Sequence, residues 1–530
     1  MALFTFSEWV GNEFSADVCV IGAGIAGLFA ATRIARSGKR ILVIESGGRT
    51  FDPEVHRLNE VDDAFGSYTG AVNGRFRGLG GTSTRWAGRL LPLTAHDIGD
   101  RAYLGIPPWP IDILELNRYR SEIETVFEVD AGSFEEDILD QLDRRRLTPR
   151  GDPDFALRYP KWADFKNCNV AYQLRAEIEQ GKNLDICLEA TVTGFEFDTG
   201  TGRLMAISAA SLSGRKLRIK APEFLIAAGT IEATRLLLLL DLASKGRAFA
   251  RCQVLGRNFQ DHLGVQVGEL RLSNRSLANR ILGYHFIGST RRSLHLEMRP
   301  SVQQSEQVAS GFAQIIMGVP ETSPLYAIKK IFRGFQRGEF ALDQKDLLSF
   351  IRDPALMLEG AAWRFIRHQL HWPRNSTLGV HVWIEQLPHW ENRITLSEKR
   401  DRFGVPMARI EWRKTDADER TLQACVARLD SYWKRNLLSQ CSSISWLPGV
   451  RNASAPAIGH AVDVLHPSGS TQMGLDPSKS VVGPDLRTHS VRNVSVASAS
   501  VFPTAGSANP TYTIIQLALR AADAITKRLG

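Results

Sequence analysis

Residues 16–46 read ADVCVIGAGIAGLFAATRIARSGKRILVIES. The first seven form a short apolar run rich in β-branched residues, typical of a buried strand, and RILVIES is typical of a second strand. Between them a glycine-rich turn leads into small and apolar residues that predict a helix. A strand, a glycine-rich turn, a helix and a second strand predict a βαβ unit of the Rossmann type.

Three glycines and one acid in this stretch predict a dinucleotide site. Gly22 allows the tight turn, Gly24 lets a phosphate approach the backbone, and Gly27 lets the helix pack close to the strand. The helix N-terminus offers free N–H groups and a positive dipole end to a pyrophosphate. Glu45 ends the second strand, where a carboxylate can accept from ribose hydroxyls and disfavours the extra phosphate of NADP. This motif alone does not distinguish NAD from FAD.

Composition describes a globular enzyme. The 530 residues are 43% hydrophobic and 23% charged, with a net charge of +8 and six scattered cysteines. No basic run interleaves with aromatics, so we expect no nucleic-acid partner. Neither the cysteines nor the histidines have iron–sulfur or metal-ligand spacing, so we expect no metal. The N-terminus lacks the features of a secretory signal, and we expect a cytoplasmic protein.

Three further segments carry chemistry-bearing patterns. Residues 78–88 read GLGGTSTRWAG, a run of small residues whose free N–H groups suit a phosphate or a flavin edge. Residues 223–239 read EFLIAAGTIEATRLLLL, a buried strand followed by an apolar helix. The chain closes with HPSGSTQMG (466–474), VRNVSVASASVFP (491–503) and NPTYTIIQLALRAAD (509–523), which predict a strand, a loop and an amphipathic helix.

With GRNFQDHLG (256–264) and WENRITL (390–396), these motifs make the chain resemble the glucose–methanol–choline (GMC) oxidoreductase family over nearly its whole length. The resemblance implies FAD in a Rossmann-like domain and oxidation of an alcohol or sugar at a CH–OH group. The form GGTSTRW is most similar to the pyranose and glycoside oxidase side of the family. That side often links FAD covalently through a histidine just before the tryptophan. Arg85 occupies this position here, so we expect non-covalent FAD.

The resemblance also implies the site residues. His466 would be the base that removes the hydroxyl proton, and Asn509 its partner, while His262 is expected to be structural or close to the flavin. Ser498 stands where the family usually has an aspartate. Further cofactor contacts implied by family position, besides the four residues of the βαβ unit, are Gly80, Gly81, Thr82, Ser83, Trp86, Val192, Ala228, Gly229, Ser498, Pro510 and Thr511.

We therefore expect an α/β fold, α+β overall, in which two domains interleave. The FAD-binding domain takes residues 1–90, 180–265 and 455–530, with a β-meander within 186–226. The substrate domain takes 91–179 and 266–454 and is built on an antiparallel sheet from strands within 265–320 and 379–415. Residues 324–374 carry apolar residues at helical spacing with Lys and Arg between them, which predicts two or three basic amphipathic helices.

Several functional questions stay open at this stage. The basic helices fit a solvated face, a lid, or contact with a protein or an anionic membrane. The electron acceptor is oxygen, a quinone or a carrier protein. Competing hypotheses are a flavin-containing lyase of the same fold, oxidation of a non-sugar alcohol, a NAD-dependent dehydrogenase, and an inactive binding protein.

Overall fold

The computed structural model describes residues 3–143, 145–339, 343–451 and 456–530. The predicted βαβ unit is present as strand Val18–Ile21, helix Ile25–Ala35 and strand Ile41–Ile44. Every residue of both strands is buried, as expected for a parallel sheet covered on its two faces. Gly24 is the N-cap of the helix, so the free N–H groups of its first turn face the end of the sheet.

A six-stranded parallel sheet forms the first layer. Its helix Ile25–Ala35 packs against the C-terminal helix Pro510–Leu529, so the two ends of the chain share one core. The strands, in spatial order, are Leu3–Thr5, Leu184–Leu188, Ile41–Ile44, Val18–Ile21, Glu223–Ile226 and Val494–Val496.

The predicted meander forms a second sheet. Strands Thr191–Asp198, Arg203–Ala210 and Lys216–Lys220 run antiparallel, and Glu13–Ser15 adds a parallel edge strand. It continues directly from strand Leu184–Leu188 of the parallel sheet.

The predicted antiparallel sheet is present and has seven strands. Helix Asp416–Arg435 packs on its strands Gly311–Gly318 and Thr377–Glu385. The strands on the main path are Ser442–Trp446, His262–Leu272, Thr377–Glu385, Gly311–Gly318, His295–Met298 and Phe155–Arg158, and Val462–Asp463 pairs beside them with His262–Leu272.

Strand His262–Leu272 positions the site. The expected domain boundary at 265 falls inside this strand, which belongs to the antiparallel sheet from its first residue. Leu263 pairs with Asp463 and Gly264 with Val462, so the start of the strand lies beside the segment that leads into His466. This pairing brings together residues two hundred positions apart.

Two small sheets connect the layers. One orders His285–Ile287, Thr290–Arg292, Lys161–Trp162 and Arg89–Leu90, and the other orders Arg393–Arg400, Pro406–Glu411 and Asp62–Asp63. The predicted basic segment contains three helices, Pro324–Arg337, Gln344–Arg352 and Pro354–Ile366. Over the described ranges, no helix has the length and apolar character needed to cross a membrane.

The remaining α-helices join these sheets. They are Pro53–His56, Gly70–Asn73, Ala95–Ile98, Ile113–Asn117, Arg120–Val126, Leu139–Leu142, Val170–Gln173, Arg175–Gln180, Thr230–Ala243, Arg275–Leu282, Pro300–Glu306 and Leu438–Cys441.

Candidate active site

An elongated cavity opens at the carboxyl ends of the parallel strands, where ligands bind in open α/β sheets. Its empty volume is about 1330 Å³. Its lining includes Gly22, Gly24 and Glu45 together with Leu465 and His466. The cavity thus joins the glycine-rich turn to the segment in which the sequence predicts the base.

Gly24 and Gly27 differ in the reason why each position requires glycine. A Cβ on Gly27 would lie 1.9 Å from the carbonyl oxygen of Gly22, so this position is fixed by helix–strand packing. A Cβ on Gly24 would find only the Cα of Gly81, at 4.0 Å, and the φ of Gly24 is −82°, which any residue adopts. Nothing in the protein itself requires glycine at 24. The approach of a phosphate to the helix N-terminus, expected from the sequence, would supply the reason.

Glu45 is held by backbone N–H groups. Its Oε2 accepts from Ala23, and its Oε1 accepts from Gly47 and Gly78, each at 2.9 Å. Burial raises the pKa of Glu45 against the opposing effect of these bonds. Two oxygens offer about four acceptor positions, so one remains for the ribose hydroxyl expected from the sequence.

The structure brings most of the sequence-predicted residues to one cavity. Gly80 and Ser83 stand outside it: Gly80 N donates to the carbonyl of Ala23, and the Ser83 hydroxyl donates to the carbonyl of Gly80. Asn509 borders His466 rather than the main cavity. The predicted residues that line the cavity are Gly22, Gly24, Glu45, Gly81, Thr82, Trp86, Val192, Ala228, Gly229, His466, Ser498, Pro510 and Thr511.

Sequence reasoning missed two arginines of this cavity. Arg77 forms an ion pair with Glu232, at 3.0 Å. Arg75 donates only to the carbonyls of Ala71 and Asn59, so its charge faces no bonded carboxylate among the described residues. A guanidinium and a helix N-terminus on one cavity suit the two negative charges of a pyrophosphate. The residues present therefore fit a flavin dinucleotide.

His466 and Asn509 are in contact, 43 positions apart in sequence. The amide nitrogen of Asn509 lies 3.0 Å from Nε2 of His466, and the amide oxygen of Asn509 is buried without a protein partner among the described residues. Burial holds the pKa of His466 well below its usual value, helped by His262 and the positive charge of Arg89. His466 is therefore a neutral imidazole at neutral pH, as a general base must be.

The tautomer of His466 follows from a chain of hydrogen bonds. Nε2 of His262 lies 2.7 Å from the carbonyl oxygen of Gly506, which only accepts, so this nitrogen carries a proton. Burial also lowers the pKa of His262, so its Nδ1 is an acceptor. The Nδ1 atoms of the two histidines are 3.2 Å apart, so Nδ1 of His466 donates. Nε2 of His466 therefore carries the lone pair, which accepts a hydrogen bond from the Asn509 amide nitrogen at 3.0 Å.

A buried carboxyl group holds the main chain at this point. Asp261 accepts from the backbone N–H of His466 at 2.9 Å and from the Tyr68 hydroxyl at 2.8 Å. Burial, reinforced by Asp463, raises the pKa of Asp261 to about 8. Leu465, just before His466, has a φ of +65°, a left-handed conformation that is strained for a leucine. These contacts over-determine the position of the imidazole.

Arg85 packs away from the cavity lining. Its guanidinium lies 4.7 Å from the ring centre of Phe51 and 5.0 Å from that of Phe76, and it forms an ion pair with Glu339 at 3.4 Å. Among the described residues, no group of three or more His, Cys, Asp or Glu side chains is arranged to hold a metal ion.

The fold and the site define the class: an oxidoreductase with a Rossmann-type dinucleotide domain and a buried histidine in the lining of its cavity. A family model described as GMC oxidoreductase matches residues 388–518, and one described as NAD(P)-binding Rossmann-like domain matches 20–64. The C-terminal part of the chain therefore matches the GMC oxidoreductase family, as its motifs predicted. The enzyme class is that of FAD-dependent oxidoreductases that act on CH–OH groups.

Individual relatives extend the likeness along the chain. The chain is 23% identical to the fructose dehydrogenase large subunit of Gluconobacter japonicus, over 98% of this chain and 99% of that protein. It is 31% identical to the 6'''-hydroxyparomomycin C oxidase of Streptomyces lividus, over 29% and 26% of the two chains. The crystal structure of pyridoxine 4-oxidase from Mesorbium loti shares the fold, with a TM-score of 0.59 and 16% identity over 96% and 98% of the two chains.

Proposed function

We propose that this enzyme oxidises a CH–OH group of a sugar, glycoside or polyol to the carbonyl, with His466 as the base. The observation that carries the proposal is the tautomer of His466, whose unprotonated Nε2 accepts from the Asn509 amide until a substrate hydroxyl takes that place. Relatives named as fructose dehydrogenase and 6'''-hydroxyparomomycin C oxidase favour this substrate class.

The two side chains divide the work on the hydroxyl group. Nε2 of His466 takes the hydroxyl proton as the carbon releases its hydride. The Asn509 amide N–H turns to the substrate oxygen and stabilises the negative charge that develops there. FAD, when bound, supplies the hydride acceptor. The buried surroundings of His466 strengthen both interactions, since little water competes for them.

We also infer that FAD is held without a covalent bond. Arg85 stands at the position of the linking histidine, and its guanidinium packs between the rings of Phe51 and Phe76. A guanidinium stays protonated at neutral pH and is not a nucleophile for this linkage. Affinity for FAD then rests on the cavity alone. The other predicted cofactor residues remain candidates for the same contacts.

The three helices between 324 and 366 favour contact with an anionic membrane surface. Ile351 is 76% exposed, Phe365 72% and Ile366 78%, an unusual concentration of exposed large apolar residues. Lys345, Arg352 and other basic residues alternate with them, which is the pattern of interfacial helices. We infer peripheral attachment through this face, with an external acceptor (oxygen, a quinone or a carrier protein) reoxidising the flavin.

The test is an anaerobic visible spectrum of the purified enzyme during titration with sugars, glycosides, polyols and simple alcohols. We expect the flavin bands to bleach with at least one sugar or polyol. His466→Ala should keep FAD bound and slow this bleaching by about two to four powers of ten, as for a lost general base. If the enzyme cleaves a carbon–carbon bond of a substrate while the flavin bands stay unchanged, the protein is a lyase and not an oxidoreductase. Unchanged reduction in His466→Ala would refute the role of the base.

A further inference from the structure

Two arginines beside the active site lack carboxylate partners. Two fully buried arginines elsewhere pair with acids, Arg101 with Glu385 and Arg158 with Glu297. Arg89 instead donates through Nη1 to His295 Nε2, at 3.1 Å, and to Gln314 Oε1, at 3.0 Å, both neutral groups. Its Nε and Nη2 make no hydrogen bond within the described residues. Burial lowers the pKa of Arg89 to about 10, so the side chain stays charged at neutral pH.

The second arginine faces the first across a tryptophan. Arg89, Trp162 and Arg291 are direct partners on three adjacent strands, so their side chains share one face of that sheet. The guanidinium carbons of Arg89 and Arg291 lie 5.4 and 4.4 Å from the ring centre of Trp162. Nε of Arg291 is buried without a partner among the described residues. Asp164 influences Arg291 electrostatically but forms no ion pair with it within the described chain.

A series of side-chain contacts leads from this face of the sheet towards His466. Arg89 lies 5.6 Å from the ring of Phe312, which stacks on Trp383 at 5.1 Å. Trp383 and Val464 approach the same point above Gly264, and Val464 is two residues before His466. The charge of Arg89 also contributes to the lowered pKa of His466 and His262. Arg89 is therefore close enough to His466 for its charge to act on that imidazole, and Arg291 lies on the other side of Trp162.

We propose that Arg89 and Arg291, on either side of Trp162, bind a carboxylate or phosphate group of the substrate. The inference rests on the proposed function and narrows its substrate class to anionic polyols, such as sugar acids or sugar phosphates. A guanidinium recognises a carboxylate or phosphate through two parallel hydrogen bonds. Two half-buried cations without an acid are costly until such an anion neutralises them. The indole between them offers an apolar wall to the carbon skeleton.

The experiment compares D-gluconate, D-glucuronate and D-glucose 6-phosphate with neutral D-glucose in flavin reduction by the holoenzyme. We expect kcat/KM at least 10-fold higher for one or more of the anions than for glucose. Arg89→Gln and Arg291→Gln should each lower the ratio of the anion's kcat/KM to that of glucose about 10- to 100-fold, a ratio in which any effect of Arg89 on His466 cancels. Arg89→Lys, which retains the charge, should have a kcat/KM for the anions between those of the wild type and Arg89→Gln. The control Arg271→Gln removes the same charge from an exposed strand position and should change nothing.

A measurement of anion binding distinguishes a failure of this inference from a failure of the proposed function. If none of the four compounds reduces the flavin, calorimetric titration of the holoenzyme with gluconate and glucose 6-phosphate still reports on the arginines. Anion binding that is lost in Arg89→Gln supports the site, whatever the reaction. The proposal is overturned if neither anion binds, if glucose matches the anions, or if Arg89→Gln affects neutral and anionic compounds equally. Preference for gluconate and glucuronate identifies a carboxylate site, and preference for glucose 6-phosphate a phosphate site.

Discussion

We expect His262 to affect the reaction through His466. Its ring stands nearly perpendicular to that of His466, at 87°, and the two Nδ1 atoms are in contact. The carbonyl of Gly506 fixes the proton of His262 on Nε2, and this in turn fixes which nitrogen of His466 is unprotonated. An imidazole that can hold its proton on either nitrogen spends part of its time in the wrong form for a base. His262 is thus a positioning residue.

Replacing His262 tests this relay. His262→Ala removes the acceptor for Nδ1–H of His466, so we expect flavin reduction to slow about 10-fold or more, less than on loss of the base itself. His262 also contributes to the lowered pKa of His466. Its removal should raise that pKa, and the rate, which falls as pH drops through the pKa of the base, should begin to fall at a higher pH. Anaerobic stopped-flow reduction at several pH values measures both effects.

Two further variants separate positioning from general damage. His262→Gln keeps an acceptor oxygen and should restore part of the rate. His285→Gln removes another buried histidine, which contacts Gln369 in a separate sheet, and should leave the pH profile in place. A His262→Ala enzyme with the wild-type rate and profile would show that the histidine pair has no part in the reaction.

At the residue scale, the sequence allowed His466 and Asn509 to be predicted because each lies in a recognisable local motif. Asp261 and Tyr68 were not predicted, since 193 positions separate them and only the fold brings them together. Arg89 was missed for a different reason. One arginine among many carries no signal until the absence of an acid beside it becomes visible. Gly80 and Ser83 follow the family pattern, but they stabilise the loop instead of lining the cavity.

Among the secondary-structure elements, long and periodic patterns were the predictable ones. The βαβ unit, the meander and the three basic helices follow from hydrophobic periodicity. Strands Asp62–Asp63 and Arg89–Leu90 have only two residues each, too few for any period to appear. Their partners lie far along the chain, so tertiary pairing determines them. The second of these strands carries Arg89, and so the anion site could not have been anticipated.

The three basic helices carry the prediction at this scale. Ile351→Asp combined with Phe365→Asp should reduce binding to phosphatidylglycerol vesicles at least about 10-fold, because two exposed apolar anchors are replaced by acids that anionic lipids repel. Sedimentation of the enzyme with vesicles of increasing phosphatidylglycerol content measures the effect. Leu475→Asp is the matched control, since Leu475 is 75% exposed but lies outside these helices. A wild-type enzyme that ignores anionic vesicles, yet binds another protein through this face, would replace the lipid with a protein partner.

In the whole molecule, the cofactor cavity draws its walls from segments spread along the chain. Residues near 22, 45, 77, 192, 229, 466, 498 and 511 all line it. The interleaving of two domains and the boundaries between them remain a prediction. A ligand that contacts so many segments stabilises the native state against unfolding, since it binds that state and not the unfolded chain.

A comparison of Gly24 with Gly27 uses this linkage to test the cofactor site. For the wild type, FAD at 100 times its Kd should add about 2.7 kcal/mol to the free energy of unfolding, or about 2 °C in Tm for a chain of this length. NAD should add nothing. Gly24→Ala should leave the Tm of the FAD-free protein unchanged, because its Cβ meets no protein atom closer than 4.0 Å, but it should remove most of the shift.

Gly27→Ala should behave in the opposite way. Its Cβ would lie 1.9 Å from the carbonyl oxygen of Gly22, so the Tm should fall even without FAD.

Acid precipitation of the wild-type holoenzyme should leave the flavin in the supernatant, as expected for non-covalent binding. A full FAD shift in Gly24→Ala would mean that the pyrophosphate does not approach this turn. An equal shift with NAD would reassign the cavity to a nicotinamide cofactor, and flavin retained in the precipitate would show that some residue other than Arg85 forms a covalent link.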